Sequence, residues 1–192
     1  MEFLIEDFKV QKLQNGKYLT PYFATFKLNG QKKDWEIIKS SDSVAILIYN
    51  KDNDSFVCVK QFRPPVYLNS NAKFGVTVEL CAGILDKNLS LKEIAAEEIL
   101  EETGYKVEPF NLQKITSFFT SVGSSGARQH LYYCEVTNSD KISSGGGVEG
   151  EEQIEVVEIK VDNARDFMFN EDIAKTPGLL FAFSWFFLKE NR

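Results

Sequence analysis

The sequence is poor in the residues on which several common kinds of site depend. Its 192 residues include three cysteines and one histidine. Cys58, Cys81 and Cys134 form no Cys-x-x-Cys pair, so we predict neither a structural zinc site nor a disulfide framework, and we expect reduced thiols. One chain cannot supply a two-histidine zinc site, and a Ser-His-Asp triad would have to use His130. We interpret His130 as structural and expect carboxylates to carry any proton transfer.

The chain also lacks an excess of positive charge and a long apolar run. It has 22 lysines and arginines against 28 acidic residues, a net charge of −6, which argues against electrostatic binding to nucleic acid. The most apolar segment, residues 178–188, has 11 residues, too few to cross a bilayer of roughly 30 Å at about 1.5 Å per residue. We predict a buried C-terminal helix there, no membrane partner, no signal peptide in the acidic N-terminus, and a cytoplasmic location.

What the chain does have is the composition of a globular protein. Hydrophobic residues make up 43% of it, and 16 phenylalanines predict an aromatic core. Residues 1–40 are predicted to form an arm of short strands, with hairpin turns at Asn15-Gly16 and Asn29-Gly30. Residues 41–192 are predicted to form the main domain.

Alternating and apolar runs in the main domain predict a mixed sheet with few helices. Pro64-Pro65 is expected to keep the segment RPPVYLNSNAKFG out of regular structure, and two helices are expected around residues 162–169 and 178–189. The predicted strands are SVAILIYN, FVCVKQF, VTVELCAG, the two that flank the loop SVGSSGA, and IEVVEIKV.

The segment 90–104 is predicted to be a helix with clear boundaries and an unusual charge. Ser90 and Glu93 have the spacing of an N-terminal capping box, and Gly104 is placed to end the helix. Five of the ten residues from 93 to 102 are glutamates. Like charges one turn apart cost an isolated helix a few tenths of a kcal/mol per pair.

Three of these glutamates, Glu98, Glu101 and Glu102, are predicted to share one stripe of the helix, since successive residues are rotated by about 100°. A hard divalent cation such as Mg²⁺, which takes oxygen ligands and is completed by waters and substrate phosphates, would compensate their repulsion. A solvated acidic face is the alternative.

The spacing around this stripe is characteristic. Gly83 lies 15 residues before Glu98, and the run Glu98-x-x-Glu101-Glu102-x-Gly104 is followed by a bulky tyrosine. This pattern resembles the Nudix hydrolase signature, GX5EX7REUXEEXGU, in which U is bulky and apolar.

Two positions depart from that signature. Leu89 stands where the family has its first glutamate, and Glu97 stands where it has arginine. In the family these two side chains mainly brace the loop against the helix. Because both are replaced together, neither leaves an unpaired buried charge.

The resemblance runs from about residue 34 to the end. Outside the signature it includes KQFRPP, ELCAG, SGARQHLYYCEVT, GGGVEGEEQIEVVEI and KTPGLLFAFSWFF. It is similar to the UDP-glucose-cleaving branch of the family, close to the ADP-ribose branch. This implies an α+β Nudix fold, an α/β/α sandwich with a mixed sheet, plus N-terminal antiparallel strands.

The same resemblance implies the activity. A Mg²⁺-dependent homodimer, with Mn²⁺ as a possible substitute, is expected to hydrolyse a nucleoside diphosphate sugar, with UDP-glucose giving UMP and glucose 1-phosphate. The alternatives are an ADP-ribose or ADP-sugar pyrophosphatase and a catalytically silent Nudix-fold module that binds a nucleotide or a protein.

The resemblance also assigns the metal ligands and the acid–base residue. Glu98 and Glu102 would be the main metal ligands, with Glu101 adjacent as ligand or catalytic residue and the backbone carbonyl of Ala82 as a further ligand. Glu152 matches the loop glutamate that acts as base or orients water. Two neighbours, Glu149 and Glu151, compete for that role.

Two further residues are implied to bind the substrate. Arg63 matches the arginine that contacts the diphosphate, and a loop salt bridge is its alternative role. Glu79 matches a position that lines the cleft, and a structural carboxylate is its alternative. The glycine run 145–147 is expected to make the loop before Glu152 mobile, either as a closing loop or as a plain connector.

Overall fold

The computed structural model describes residues 9, 16, 19–148 and 153–191. These residues form a two-stranded hairpin sheet and a seven-stranded mixed sheet. The first five strands are β1 (Thr20–Leu28), β2 (Gln31–Lys39), β3 (Ser43–Asn50), β4 (Ser55–Phe62) and β5 (Val76–Glu79). The others are β6 (Cys81–Ile84), β7 (Gln113–Phe119), β8 (Arg128–Val136) and β9 (Ile154–Lys160). The four α-helices are α1 (Pro64–Asn69), α2 (Leu91–Glu98), α3 (Val161–Phe169) and α4 (Pro177–Glu190).

The large sheet has the order β5-β4-β3-β8-β7, with β6 added to β3 and β9 to β4. Strands β3 and β8 are parallel, and the other pairs are antiparallel. This is the mixed sheet that the sequence predicted.

The sheet is covered on both faces, as its central strand shows. Ala45 and Leu47 of β3 face a core cluster with the aromatic side chains of α4. Their neighbours in β3, Ile46 and Ile48, face a second cluster with α2. A strand buried on both faces reads as a continuous apolar run, which is why SVAILIYN does not alternate. The prediction of an α/β/α sandwich is confirmed.

The C-terminal helix is buried as predicted. Phe183 of α4 stacks on Phe56 of β4 with ring centroids 4.2 Å apart, and Phe186 meets the same ring edge-on. Each such burial contributes about 2 kcal/mol. Within residues 19–148 and 153–191, no helix is long and apolar enough to span a membrane. All three cysteines are buried and unpaired.

The predicted capping box at the start of α2 is confirmed. The Ser90 hydroxyl accepts from the Glu93 amide, and the Glu93 carboxylate accepts from the Ser90 amide. The predicted end at Gly104 is also confirmed, since this residue has a φ of 79°. Between them the helix is not uniform, because Ile99–Thr103 form a π-helical turn. Such turns are frequent at functional sites.

Two parts of the secondary-structure prediction were wrong. The segment after Arg63 is not irregular at its start, because Pro64 and Pro65 begin α1, where the missing N–H groups cost nothing. The run VTVELCAG is two strands rather than one. Strand β5 pairs with β4, the chain crosses over at the buried Leu80, and β6 pairs with β3.

The β1–β2 hairpin forms a sheet of its own. Its turn is the predicted Asn29-Gly30, both with positive φ, the geometry of a tight hairpin. Two hydrogen bonds join it to the loop after β7. The Ile38 amide donates to the backbone oxygen of Ser124, and the Trp35 indole N–H donates to the backbone oxygen of Gly123. The predicted strands FKVQKL and NGKY and the Asn15-Gly16 turn lie largely outside the described residues. The boundary between residues 40 and 41 stays a prediction.

Candidate active site

One cleft of about 910 Å³ lies where the ends of β4, β5 and β6 meet α2. The predicted site residues that the structure describes all line it, namely Arg63, Glu79, Ala82, Glu98, Glu101 and Glu102. They come from four separate elements, so the fold and not sequence proximity brings them together. Glu152 and its competitors Glu149 and Glu151 lie outside the described residues.

Glu102 is the deepest of the three glutamates. It is only 3% exposed, and its Oε2 accepts a hydrogen bond of 3.0 Å from the Ala82 backbone amide. Burial, followed by the Glu102 charge, raises the pKa of the neighbouring Cys81 thiol well above its usual range. The contact joins the π-helical turn that carries Glu102 to β6, the strand of Ala82, whose backbone carbonyl was predicted to bind metal.

Glu98 lies against Gly83. A Cβ at position 83 would come within 2.1 Å of the Glu98 carboxyl carbon, which is closer than two non-bonded carbon atoms can approach. Glycine at this position therefore makes room for the carboxylate, which gives the first glycine of the signature a steric reason.

Glu101 lies at the more open side of the cleft, beside a lysine that the sequence analysis missed. Lys87 Nζ is 3.9 Å from Glu101 Oε1 and 2.8 Å from Glu97 Oε2. The hydrogen bond with Glu97 is the main cause that raises the pKa of Lys87. The three glutamates thus share one cleft at different depths, since Glu102 is buried and Glu101 is 40% exposed.

The donor set fits a hard cation. All the groups predicted to hold the metal offer oxygen, which is what Mg²⁺ requires. Within the described part of the chain, no three acidic, histidine or cysteine side chains converge as a ready-made metal cage. Mg²⁺ needs none, because it keeps several waters and is held by one or two carboxylates together with substrate phosphates.

Arg63 and Glu79, which also line the cleft, form an ion pair with two parallel hydrogen bonds. Arg63 Nε and Nη2 lie 2.7 and 2.8 Å from the two carboxylate oxygens of Glu79. Glu79 is buried and also accepts from the Thr77 hydroxyl. Such paired bonds fix the plane of a guanidinium. For Arg63, the salt bridge and the predicted contact with substrate are therefore compatible, since the salt bridge lies within the cleft and holds Arg63 at its wall.

The glycine run, expected from the sequence to make this loop mobile, is hydrogen-bonded in the structure to the helix that carries the glutamates. The amides of Gly146 and Gly147 donate to the backbone oxygens of Glu102 and Glu101 at 2.9 and 3.0 Å. All three glycines have positive φ, and a Cβ at Gly145 would come within 2.4 Å of Glu102 O. Glycine is required here because the loop backbone approaches the backbone of Glu102 closely.

Sequence reasoning also missed Gln129 and Asp86, which line the cleft. Gln129 Nε2 donates to Ser43 Oγ across the parallel strands at 3.3 Å. Nothing in the local sequence of β8 marks this residue, since its place depends on the pairing of strands 86 residues apart. His130 lies next to it in β8 and does not line the cleft.

No family model matches the chain. It is 39% identical over 209 residues to a uridine diphosphate glucose pyrophosphatase of Bos taurus, with 95% of this chain and 94% of that protein covered. It is 34% identical over 160 residues to a GDP-mannose pyrophosphatase of Cronobacter sakazakii, with 80% of each covered.

A solved structure gives independent support for the fold. The crystal structure of an ADP compounds hydrolase superposes with a TM-score of 0.70 at 14% identity, covering 95% of this chain and 93% of the other. At that identity the likeness concerns the fold alone. The family follows from the relatives at 39 and 34% identity, whose signature residues this chain gathers in one cleft: the chain belongs to the Nudix hydrolase family.

Proposed function

We propose that the protein hydrolyses the diphosphate bond of a nucleoside diphosphate sugar, with UDP-glucose and water giving UMP and glucose 1-phosphate. The observation that carries this is the single cleft that Arg63 lines together with Glu98, Glu101 and Glu102. The names of the relatives indicate the substrate class, since they cleave UDP-glucose and GDP-mannose.

The charges of the cleft fit a diphosphate only in the presence of a cation. Glu98, Glu101 and Glu102 would repel the phosphates, and they are the residues that would hold Mg²⁺, or Mn²⁺ in its place, together with the Ala82 carbonyl. When bound, the ion would neutralise the diphosphate and activate water for attack on phosphorus.

The chain's own residues would then position the substrate. Arg63, held by Glu79, offers a fixed cation to the phosphate oxygens. Gly83 keeps the space that the Glu98 carboxylate fills. The Glu102 carboxylate is held toward β6 by the Ala82 amide.

A carboxylate would have to orient or deprotonate the attacking water. Glu152 is our candidate, with Glu149, Glu151 and the cleft residue Glu101 as competitors. The pinned glycines support this, because they fix the start of the segment that carries Glu152 onto the backbone of Glu101 and Glu102.

A second cavity of about 360 Å³ is the proposed place for one end of the nucleotide sugar. It shares Glu79, Ala82 and Gln129 with the cleft, and its walls include the rings of Phe118 and Phe119. Aromatic faces beside amide and hydroxyl groups suit a sugar or base. The variant Phe119→Ala should raise KM for the nucleotide sugar more than it lowers kcat.

We further propose that the protein is a cytoplasmic homodimer that uses the β1–β2 hairpin. The hairpin exposes Phe26, Leu28 and Trp35, which are 44, 55 and 54% accessible and which the strand register places on one face, and such a patch marks an interaction surface. Light scattering should give twice the chain mass of 21.8 kDa. A monomer at micromolar concentration would overturn this part of the proposal.

The activity is tested by incubating the purified protein with UDP-glucose, ADP-ribose and GDP-mannose, each with Mg²⁺ and with chelator, and identifying the products. Metal-dependent release of UMP and glucose 1-phosphate is the expected result. Preference for ADP-ribose would keep the site and discard the uridine assignment. If none of the three is cleaved, a silent binding module becomes the better description.

A further inference from the structure

One of the two departures from the Nudix signature, Glu97, is paired in the structure with a lysine at a variable position of the signature. Lys87 lies in the segment between β6 and α2, and its Nζ bridges Glu97 at 2.8 Å and Glu101 at 3.9 Å. Glu97 and Glu101 are one helical turn apart and repel each other. A single ammonium therefore joins the loop to the helix and offsets that repulsion.

Leu89 explains why the loop does not carry an acid at its signature position. It lines a shallow groove together with Ala96, Glu97 and Leu100 of the helix. An acid at 89 would face the carboxylate of Glu97. The chain instead has an apolar contact at 89 and a base two residues earlier, so the loop–helix ion pair is present with its polarity reversed.

We propose that Lys87 is a positioning residue for the metal-binding turn, which it acts on by pinning the β6–α2 segment to Glu97 and by orienting the carboxylate of Glu101. This rests on the proposed function, because it assigns Lys87 to the same reaction. Exposed ion pairs contribute little to global stability, and Lys87 and Glu97 are 40 and 45% exposed. The effect of Lys87 is thus expected on cation binding and not on unfolding.

Positioning and simple electrostatics predict opposite signs for one variant. Lys87→Glu replaces a positive charge beside the cleft with a negative one. If only the local field mattered, a divalent cation would bind more tightly. If Lys87 positions Glu101, the cation binds more weakly, because the loop is repelled from Glu97 and the ligand is released.

The experiment measures Mn²⁺ binding to the full chain by titration calorimetry at fixed ionic strength, in the absence of substrate. The variants are Lys87→Glu, Glu97→Lys, and the double reversal Lys87→Glu with Glu97→Lys. The matched control is Lys51→Glu, which breaks a similarly exposed ion pair with Glu135 of 3.3 Å at the far end of the sheet.

The expected result is that each single reversal weakens Mn²⁺ binding about 10-fold, the size usual for groups that hold metal ligands in place. The double reversal restores binding to within about two-fold of the wild type, since it rebuilds the pair at the original net charge. Lys51→Glu leaves binding unchanged. Thermal unfolding without metal is the same for all variants.

Unchanged or tighter binding by Lys87→Glu would overturn the proposal, and so would a double reversal as weak as the single variants. Because the experiment measures only the binding of Mn²⁺, it tests the positioning role of Lys87 independently of the proposed hydrolysis. Rescue by the double reversal in a protein that cleaves no nucleotide sugar would support the positioning role and refute the substrate assignment. Lys87→Arg should retain both binding and kcat.

Discussion

Clusters of polar side chains lie at both ends of the central strand β3, but the negative charge of their carboxylates is compensated in different ways. At the end near Asn50, Glu158 accepts from Ser55 Oγ at 2.6 Å, from Asn53 Nδ2 at 2.9 Å and from Tyr105 Oη at 3.4 Å. We call this the closed network. At the end near Ser43 lies the cleft, where three glutamates share one wall.

The difference lies in how negative charge is compensated. In the closed network, fixed neutral donors satisfy one carboxylate, and a buried Asn50 ties the loops together through Tyr105 Oη and Asn138 Oδ1 at 3.1 and 2.9 Å. In the cleft, the acidic side chains outnumber the basic ones, Arg63 and Lys87. The first arrangement stabilises the fold, and the second leaves a demand for a cation. Changes at one end should therefore move stability, and changes at the other should move activity.

The largest effect is expected from Glu102→Gln in the cleft. The amide can still accept the Ala82 N–H bond, so the thermal unfolding temperature should stay close to that of the wild type. The lost charge should lower kcat/KM by about 1,000-fold, or about 4 kcal/mol. Steady-state hydrolysis of UDP-glucose with Mg²⁺ measures it. Near wild-type activity in this variant would show that Glu102 holds no metal.

Next in size is Gly104→Ala, at the point where the helix leaves the cleft for the closed network. Gly104 has a φ of 79°, and a Cβ would come within 2.1 Å of Ser143 O. The amides of Ile142 and Ser143 both donate to Gly104 O, so the segment before the glycine run must move away. We expect a loss of about 3 kcal/mol in unfolding free energy, together with reduced activity.

Urea titration gives the stability of this variant. Gly123→Ala is the control, because a Cβ there meets nothing within 4 Å. Equal stability of the two alanine variants would show that the connection between the ends is looser than the structure indicates.

Features with a local cause were predictable from the sequence. The capping box at Ser90, the helix end at Gly104 and the tight turn at Asn29-Gly30 each depend on residues adjacent in the chain. The spacing of the family signature predicted that Gly83, Glu98, Glu101 and Glu102 lie close together, and all four line the cleft, because the signature encodes the loop and helix that carry them.

Features with a tertiary cause were not predictable. The π-helical turn alters the angles between Glu98, Glu101 and Glu102 without a proline or glycine to announce it. The crossing at Leu80 depends on which strand offers a free edge. The glycine run reads as a flexible linker in sequence, and only the structure shows its hydrogen bonds to the backbone of Glu101 and Glu102.

A smaller effect, on stability alone, is expected from Asn50→Ala in the closed network. Asn50 is fully buried, and its Oδ1 also accepts from the amides of Asp52 and Asn53. Removing it leaves several polar groups without partners, which costs about 2 kcal/mol. Activity at 25 °C should be unchanged, and the exposed Asn111→Ala is the control. A fall in kcat with unchanged stability would contradict the division between the two ends.

The smallest effect belongs to Glu158→Gln, and it carries a pH signature. Burial alone would raise the pKa of Glu158, but hydrogen bonds from Ser55 and Asn53 outweigh it and hold the pKa below its ordinary value. A lowered pKa in the folded protein means that Glu158 stabilises the fold above the unfolded-state value of about 4.3. That contribution is lost as the pH falls through the folded-state pKa. Because solvent screens this site, the stabilisation at pH 7 should be below about 1 kcal/mol.

Urea unfolding at pH 7 should therefore find Glu158→Gln slightly less stable than the wild type, and the difference should fade below about pH 4. A difference that grows toward acid would mean that the closed network holds Glu158 in its protonated form, and the contrast with the cleft would then fail at its most sensitive point.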